Sequence, residues 1–207
     1  MLDQTPTTIP SELRDFPEWH HGRERYGVWV LRCDEYKGIQ EMFKAARAHL
    51  KGYLLEPYHR QPHITLFACG FLVAENRYND DVTQAQLDAQ VQALDKANVQ
   101  PFEIEIGRLN SFASAPFLEV GDSDGGIPRL REALAHGVSE FRTTPYRPHL
   151  TVGLYTEAFS SEQLLASMAA FSREPIRWRV EQVTLATYQA RVHAGKLSYE
   201  YDVALKS

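Results

Sequence analysis

The sequence contains the same pattern of chemically capable residues twice: Pro-His-apolar-Thr-apolar. The pattern occurs in QPHITLF at 61–67 and in RPHLTVG at 147–153, more than eighty residues apart. With 8 His and 11 Pro among 207 residues, composition alone does not account for two such strings. We therefore treat the pair as a candidate site.

Each string is predicted to be a β-strand, in which successive side chains point to opposite faces. His63 and Thr65 then share one face, about 7 Å apart along the strand, while Ile64 faces the core. His149 and Thr151 repeat this arrangement in the second string. If the two strands face one cleft, they present two imidazoles and two hydroxyl groups together.

Two imidazoles and two hydroxyl groups suit the in-line cleavage of a phosphoester. Because the unperturbed pKa of imidazole lies near 6.5, one ring can be neutral and accept a proton while the other is charged and donates one. The threonine hydroxyls would donate hydrogen bonds to the non-bridging phosphate oxygens. This chemistry requires no metal ion, so we expect no metal site.

A structural role is the alternative for each motif taken singly, because a histidine on a strand is more often a hydrogen-bonded structural residue than a catalyst. Two matching motifs in matching halves of the chain favour His63 and His149 as catalytic residues. The other histidines lack such a context and are expected to be structural or exposed: His20, His21, His49, His59, His136 and His193.

Three residues outside the motifs are candidate substrate contacts. Arg147 lies two residues before its histidine, so a regular strand would place it on the same face, where it could bind phosphate. Arg60 lies three residues before His63 and would point the other way. Tyr188 offers an aromatic face on which a base could stack.

Composition limits the remaining possibilities. A net charge of -5 argues against a protein that binds long nucleic acid by neutralising many phosphates. Cys33 and Cys69 have neither disulfide-framework nor zinc-ligand spacing, which fits a reducing cytoplasm. The N-terminus lacks an export signal, and no run of residues is apolar enough to cross a membrane. We expect a cytoplasmic monomer without a membrane partner, and a small anionic substrate remains possible.

The elements that position the motifs predict an α+β fold. Residues 1–22 lack periodicity and are expected to form a poorly ordered lead-in outside the core, followed by a single bilobal domain at 23–207. Alternating polar and apolar residues favour antiparallel pairing. The predicted strands are 26–33, 62–73, 102–112, 147–155, 176–189 and 197–206, and 115–126 is predicted to be a short strand that ends in a Gly/Asp-rich turn. The predicted helices are 38–50, 83–98, 127–141 and 160–171. The two halves echo each other, which predicts two antiparallel sheets with outer helices, related by a pseudo-twofold axis, and a central cleft.

HITL at 63–66 and HLTV at 149–152 resemble the paired signature of the two-histidine (2H) phosphoesterases, and the similarity extends over about residues 25–205. The resemblance implies the bilobal fold, a catalytic cleft without a cofactor, and hydrolysis of 2′,3′-cyclic or 2′-5′ phosphodiesters. It implies a small nucleotide or RNA-end substrate, with His63 and His149 as the acid/base pair and Thr65 and Thr151 as phosphate donors. The resemblance favours His63 as the acid and His149 as the base, and the sequence leaves the order open. The acidic composition and the long lead-in depart from the bacterial RNA enzymes of the family.

Two alternative functions remain at this point. The first is a nucleotide-binding module that retains the cleft but has no catalytic activity; a pure binding site, however, has no need of two imidazoles. The second is a 2′-5′ RNA ligase, which runs the same step in reverse and must bind two RNA ends tightly. The acidic charge balance argues against such binding.

Overall fold

An antiparallel β-sheet, with one short parallel strand at its side, organises the molecule. The computed structural model describes residues 1–138, 140 and 145–206. Across the described residues the sheet has nine strands, with β7-β4-β5-β6-β2-β1-β8-β9 as the order of neighbours and β3 beside β2. The strands are β1 (Arg25–Arg32), β2 (His63–Leu72), β3 (Asp81–Val82), β4 (Phe102–Ser111), β5 (Pro116–Gly121), β6 (His149–Thr151), β7 (Ile176–Val180), β8 (Gln182–Gln189) and β9 (Ser198–Ala204).

The helices begin and end close to the sequence signals. Thr83 caps its helix with a complete capping box to Gln86, and the hydroxyl of Ser160 accepts a hydrogen bond from the backbone N–H of Gln163. A short 3-10 helix spans Leu2–Gln4. The α-helices are α1 (Pro17–His20), α2 (Lys37–His49), α3 (Gln84–Ala97), α4 (Gly126–Leu134) and α5 (Ser161–Ala169).

The two motif strands, β2 and β6, are neighbours at the centre of the sheet. Three strands extend from each: β1, β8 and β9 beyond β2, and β5, β4 and β7 beyond β6. The α+β class and the antiparallel arrangement of two halves are confirmed. One detail differs, because β2 pairs with β6 and thereby joins the two predicted sheets into one.

The main hydrophobic core lies on one face of this sheet. Ile64 of β2 and Leu150 of β6 are fully buried there. Apolar residues from α2 to α5 belong to the same cluster, including Ile39, Leu87, Leu130 and Leu164. Because side chains alternate along a strand, the histidines and threonines of the motifs are turned to the opposite face of the sheet.

Three predicted elements differ from the structure by more than one or two end residues. The strand predicted at 176–189 breaks at Glu181, because its first part pairs with β4 and its second part with β1 and β9, in the other half. The helix predicted at 127–141 ends at Leu134, before Gly137, whose positive φ of 77° does not continue a helix. Its predicted end, at Ser139 and Phe141, lies outside the described residues. The strand predicted at 147–155 is reduced to β6.

The N-terminal segment, residues 1–22, packs against the rest of the chain. Leu2 is fully buried in the main core, and the backbone N–H groups of Thr8 and Ser11 donate to carbonyls of Phe159 and Tyr155. The prediction that this segment lies outside the core is therefore wrong. The sequence of this segment lacks periodicity, and periodicity does not report contacts with residues that are distant in sequence. None of the helices in the described ranges is both long and apolar enough to cross a bilayer.

Candidate active site

Strand pairing brings the two motifs together. Ile64 lies opposite Leu150 in an antiparallel register. Continuing this register by one residue in each direction places His63 opposite Thr151 and places Thr65 opposite the second histidine. Opposite side chains of an antiparallel pair lie about 5 Å apart, and diagonal ones about 7–8 Å. Each histidine is therefore next to the threonine of the other motif, and the two histidines are diagonal neighbours on one face.

A backbone carbonyl two residues upstream orients each imidazole. Nδ1 of His63 lies 2.7 Å from the carbonyl oxygen of Gln61, and Nδ1 of His149 lies 2.7 Å from the carbonyl oxygen of Arg147. A carbonyl oxygen only accepts hydrogen bonds, so Nδ1 is the donor in both rings. In the neutral ring, Nε2 is then the atom that can accept a proton.

The proline between each carbonyl and its histidine explains this repeated geometry. Pro62 and Pro148 have a fixed φ and hold the preceding residue in an extended conformation. The carbonyl of that preceding residue thus has a restricted orientation relative to the histidine ring. The Pro-His pair contributes to orienting the ring as well as to beginning the strand.

The motif residues line a cavity of about 490 Å³. His63, Thr65, His149 and Thr151 all contribute to its wall. Within the part of the chain that the structure describes, no acidic side chain lines this cavity, although the whole chain has a net charge of -5. The remaining lining residues are Phe16, Trp19, Tyr58, Arg60, Ala115, Leu154, Tyr188, Ala190, Val192, His193 and Ala194.

The first histidine is held neutral near pH 7. Burial lowers the pKa of His63 from 6.5 to about 4, an effect that the hydrogen bond to Gln61 opposes. The positive charge of Arg60 and the neighbouring His149 lower it further. In the unliganded protein, His63 is thus an imidazole that accepts protons at Nε2.

Aromatic side chains flank the second histidine. The ring of Phe112 meets that of His149 edge-on at a centroid distance of 4.9 Å, and the ring of Phe117 lies at 5.5 Å. Phe117 is fully buried, so it gives the imidazole a rigid support. Both aromatic residues come from the region that ends β4 and begins β5.

One of the two candidate arginines, Arg60, departs from its expected place. Arg60 lines the cavity with both histidines, and its Nε donates to the carbonyl oxygen of Gly195 at 2.9 Å. Arg147 pairs at 3.1 Å with Glu119, the residue of β5 opposite His149, and lines a neighbouring depression that shares Thr65, His149 and Thr151 with the cavity. The expectation that Arg60 points away assumed a regular strand, but Arg60 precedes β2.

Tyr188, a candidate substrate contact, lies in the cavity wall. The guanidinium of Arg60 lies 4.0 Å from the centre of its ring, and Tyr26 packs against it at 5.4 Å. The phenol and the arginine thus form one unit of the wall.

Several residues of the cavity wall were not selected from the sequence. Phe16 and Trp19 come from the N-terminal segment, and His193 comes from the loop between β8 and β9. Nε2 of His193 is buried and has no hydrogen-bond partner among the described residues. Burial and the nearby Arg60 lower the pKa of His193. These residues carry no motif, and only the folded arrangement brings them to the site.

Comparisons with known proteins identify the family and a similar fold. Residues 37–191, which include both motifs, match the model of the 2'-5' RNA ligase superfamily. Escherichia coli LigT, in a structure complexed with 3'-AMP, is similar with a TM-score of 0.57 and 16% identity, over 89% of this chain and 99% of that chain. Kluyveromyces marxianus Usb1 is similar with a TM-score of 0.53 and 14% identity, over 88% of this chain and 98% of that chain. No curated protein sequence matches.

Proposed function

The chain belongs to the 2'-5' RNA ligase superfamily, that of the 2H phosphoesterases, and on this basis we propose that it is a metal-independent phosphodiesterase. Its substrate is a 2′,3′-cyclic or 2′-5′ phosphodiester of a small nucleotide or an RNA end. One observation carries the proposal: two His-x-Thr strands lie side by side and turn both imidazoles and both hydroxyls to one cavity.

The proposed reaction consumes one water molecule. For a cyclic substrate, Nε2 of His149 accepts a proton from water as the water oxygen forms a bond to phosphorus. The bond from phosphorus to one ribose oxygen breaks, and His63 donates a proton to that oxygen. The product is a nucleoside phosphomonoester. Thr65 and Thr151 donate hydrogen bonds to the non-bridging oxygens, where negative charge accumulates in the transition state.

His63 must take up a proton to act as the acid in this reaction. Its low pKa keeps it neutral in the free protein, whereas a bound phosphate would favour the charged imidazolium by direct attraction. We therefore propose that the proton enters with the anionic substrate. Binding thus prepares the acid only when a phosphate is present.

The charge distribution of the wall supports an anionic substrate. The described residues that line the cavity include Arg60 and three histidines, and none of them is acidic. The relatives offer a compatible precedent, because Escherichia coli LigT has been crystallised with phosphate and with 3'-AMP. Nucleotides of this kind are the first ligands to test.

A substrate panel in the presence of EDTA tests the proposal. It contains 2′,3′-cyclic mononucleotides, RNA ending in a cyclic phosphate, and 2′-5′ dinucleotides. We expect hydrolysis of at least one class, with the position of the product phosphate resolved by chromatography. No hydrolysis in any class would favour a nucleotide-binding module. Formation of a 2′-5′ linked product from two RNA halves, without hydrolysis, would favour a ligase.

Substitution of either histidine tests the assignment of the site. His63→Ala and His149→Ala should each lower kcat/KM by about 100-fold or more, because each removes one partner in proton transfer. His136→Ala is the matched control, since His136 is exposed beyond the end of α4. If the double variant His63→Ala/His149→Ala keeps wild-type activity, the site is wrongly assigned.

A further inference from the structure

The N-terminal segment provides part of the cavity wall. Phe16 and Trp19 lie beside Tyr188 and His193 in the lining of the same cavity that contains both motif histidines. The rings of Phe16 and His193 are in contact, with centroids 5.6 Å apart. One region of the cavity is therefore walled by aromatic rings from two distant parts of the chain.

Specific contacts hold these aromatic residues in place. The ring of Trp19 packs on Phe71 at 4.9 Å, and the carbonyl oxygen of Trp19 accepts a hydrogen bond of 3.0 Å from Arg23. Arg23 is nearly buried and pairs with Asp80 at 2.6 Å, in the turn before β3. The segment is thus anchored to the sheet immediately after Trp19.

The chain before Phe16 is also held in place. Nε2 of His20 donates to Asp15 at 2.8 Å, which closes the short turn that contains Phe16. Further upstream, Ser11 is hydrogen-bonded through its backbone N–H to Tyr155. A side chain that projects from such a doubly anchored turn loses little additional conformational freedom when a ligand packs on it.

We propose that this aromatic region is a subsite for the base of a single nucleotide, and that the N-terminal segment is consequently part of the active site. The inference rests on the proposed function, which places the phosphate between the two motifs. Flat aromatic faces suit a nucleobase, which can stack on them whatever its identity. The cavity volume of about 490 Å³ is that of a small-molecule site, which suits a single nucleotide better than a strand of RNA.

Binding measurements on a Phe16→Ala variant test this subsite. The ligands are nucleoside 3′-monophosphate and inorganic phosphate, and the dissociation constants are measured by calorimetry. We expect Phe16→Ala to weaken binding of the nucleotide by about tenfold, because one stacking face is lost, and to leave phosphate binding unchanged. Leu13→Ala is the matched control: Leu13 belongs to the same segment, is half-exposed and does not line the cavity.

The two ligands separate a lost subsite from a damaged fold. Equal weakening of nucleotide and phosphate binding by Phe16→Ala, or unchanged binding of both, would overturn the proposal. A second variant, Trp19→Phe, keeps an aromatic face but removes the indole. Nucleotide should quench the tryptophan fluorescence of the wild type, and this quenching should be largely lost in Trp19→Phe, although Trp29 and Trp178 remain. Retention of the full quenching would contradict a base beside Trp19.

Kinetics with and without a base distinguish this proposal from the proposed function. Nucleoside 2′,3′-cyclic phosphate is compared with ribose 2′,3′-cyclic phosphate, which lacks the base. Phe16→Ala should raise KM about tenfold for the first substrate only. If the wild type hydrolyses both substrates but Phe16→Ala leaves both KM values unchanged, the subsite is wrong and the phosphodiesterase stands. If the wild type hydrolyses neither but shows the expected difference in binding, the subsite stands and the phosphodiesterase is wrong.

Discussion

At the scale of single residues, both candidate catalytic histidines have the same local design. In each case a proline separates the ring from the carbonyl that accepts its Nδ1–H, as with Gln61 and His63. The hydrogen bond fixes which nitrogen is available for proton transfer, and the strand fixes which face the ring occupies. Two residues of sequence, Pro and His, thereby specify both orientation and tautomer.

Phosphate binding should raise the pKa of His63. We expect the ring to titrate near pH 4 in the free protein and above about pH 6 with saturating inorganic phosphate, because the bound anion stabilises the imidazolium. NMR titration of the histidine rings measures this, with His63→Gln used to assign the signal. If the pKa of His63 stays near 4 with phosphate bound, His63 cannot serve as the acid near neutrality, and the reverse order of the two histidines is favoured.

The same ionisation has a consequence for stability. Because the folded protein holds the pKa of His63 below 6.5, the unfolded chain binds this proton more readily between about pH 6.5 and pH 4. The contribution of His63 to the free energy of unfolding is therefore complete above this window and is lost as the pH falls through it.

Sequence patterns predict those features of the site that depend only on local backbone geometry. The faces of His63 and Thr65 follow from strand alternation alone, which holds wherever a strand is regular. The place of Arg60 does not follow from it, because Arg60 precedes β2. Phe16 reaches the cavity through tertiary contacts that leave no periodic signal in the sequence.

At the scale of elements, the pairing between β2 and β6 is short. Beyond it, side chains instead of a neighbouring strand form hydrogen bonds with the backbone of β2. The hydroxyl of Tyr146 donates to the carbonyl oxygen of Thr65 at 2.9 Å. Arg131 donates to the carbonyl of the next residue, Leu66, and Glu140 accepts from the backbone N–H of Ala68 at 3.3 Å. These bonds occupy the edge of β2 that the three-residue β6 leaves uncovered.

Tyr146 is accordingly a positioning residue for Thr65. Tyr146→Phe removes the hydrogen bond to the Thr65 carbonyl and should lower the free energy of unfolding by about 1 kcal/mol. It should also lower kcat by about three- to tenfold with little change in KM, because a small displacement of the threonine hydroxyl weakens transition-state contacts. Denaturant unfolding and steady-state kinetics measure the two effects.

The control is Tyr36→Phe, because Tyr36 is exposed. An unchanged kcat in Tyr146→Phe would show that Tyr146 contributes to stability but does not position Thr65 for catalysis.

Element boundaries show where sequence patterns stop being informative. Thr83 begins its helix as its capping pattern predicts, because capping is local. The alternation over 176–189 continues across Glu181, yet β7 and β8 lie in different halves of the sheet. Alternation reports which face a residue occupies but not which strand it pairs with.

At the scale of the whole molecule, the sheet concentrates the chemistry at its centre. Three strands lie beyond β2 and three lie beyond β6, so the motif strands meet where the two halves join. The chain has 22 basic and 27 acidic residues, yet the described lining of the cavity has no acidic one. Attraction for an anion is therefore local to the cavity rather than spread over the surface.

This local attraction predicts a weak dependence of binding on salt and on RNA length. One or two phosphates in contact with a single-stranded ligand should give a slope of log K against log salt concentration of about -0.7 to -1.4. The doubly substituted His63→Ala/His149→Ala protein allows binding without turnover. A 20-nucleotide RNA ending in 2′,3′-cyclic phosphate should bind to it within about threefold of the cyclic mononucleotide, because a chain with a net charge of -5 gives the rest of the RNA little attraction. Fluorescence anisotropy at several salt concentrations measures the slope, and RNA of the same sequence with a 3′-hydroxyl end is the control. A slope steeper than about -3, or equal binding of the control RNA, would indicate an extended RNA-binding surface and contradict recognition confined to the terminal nucleotide.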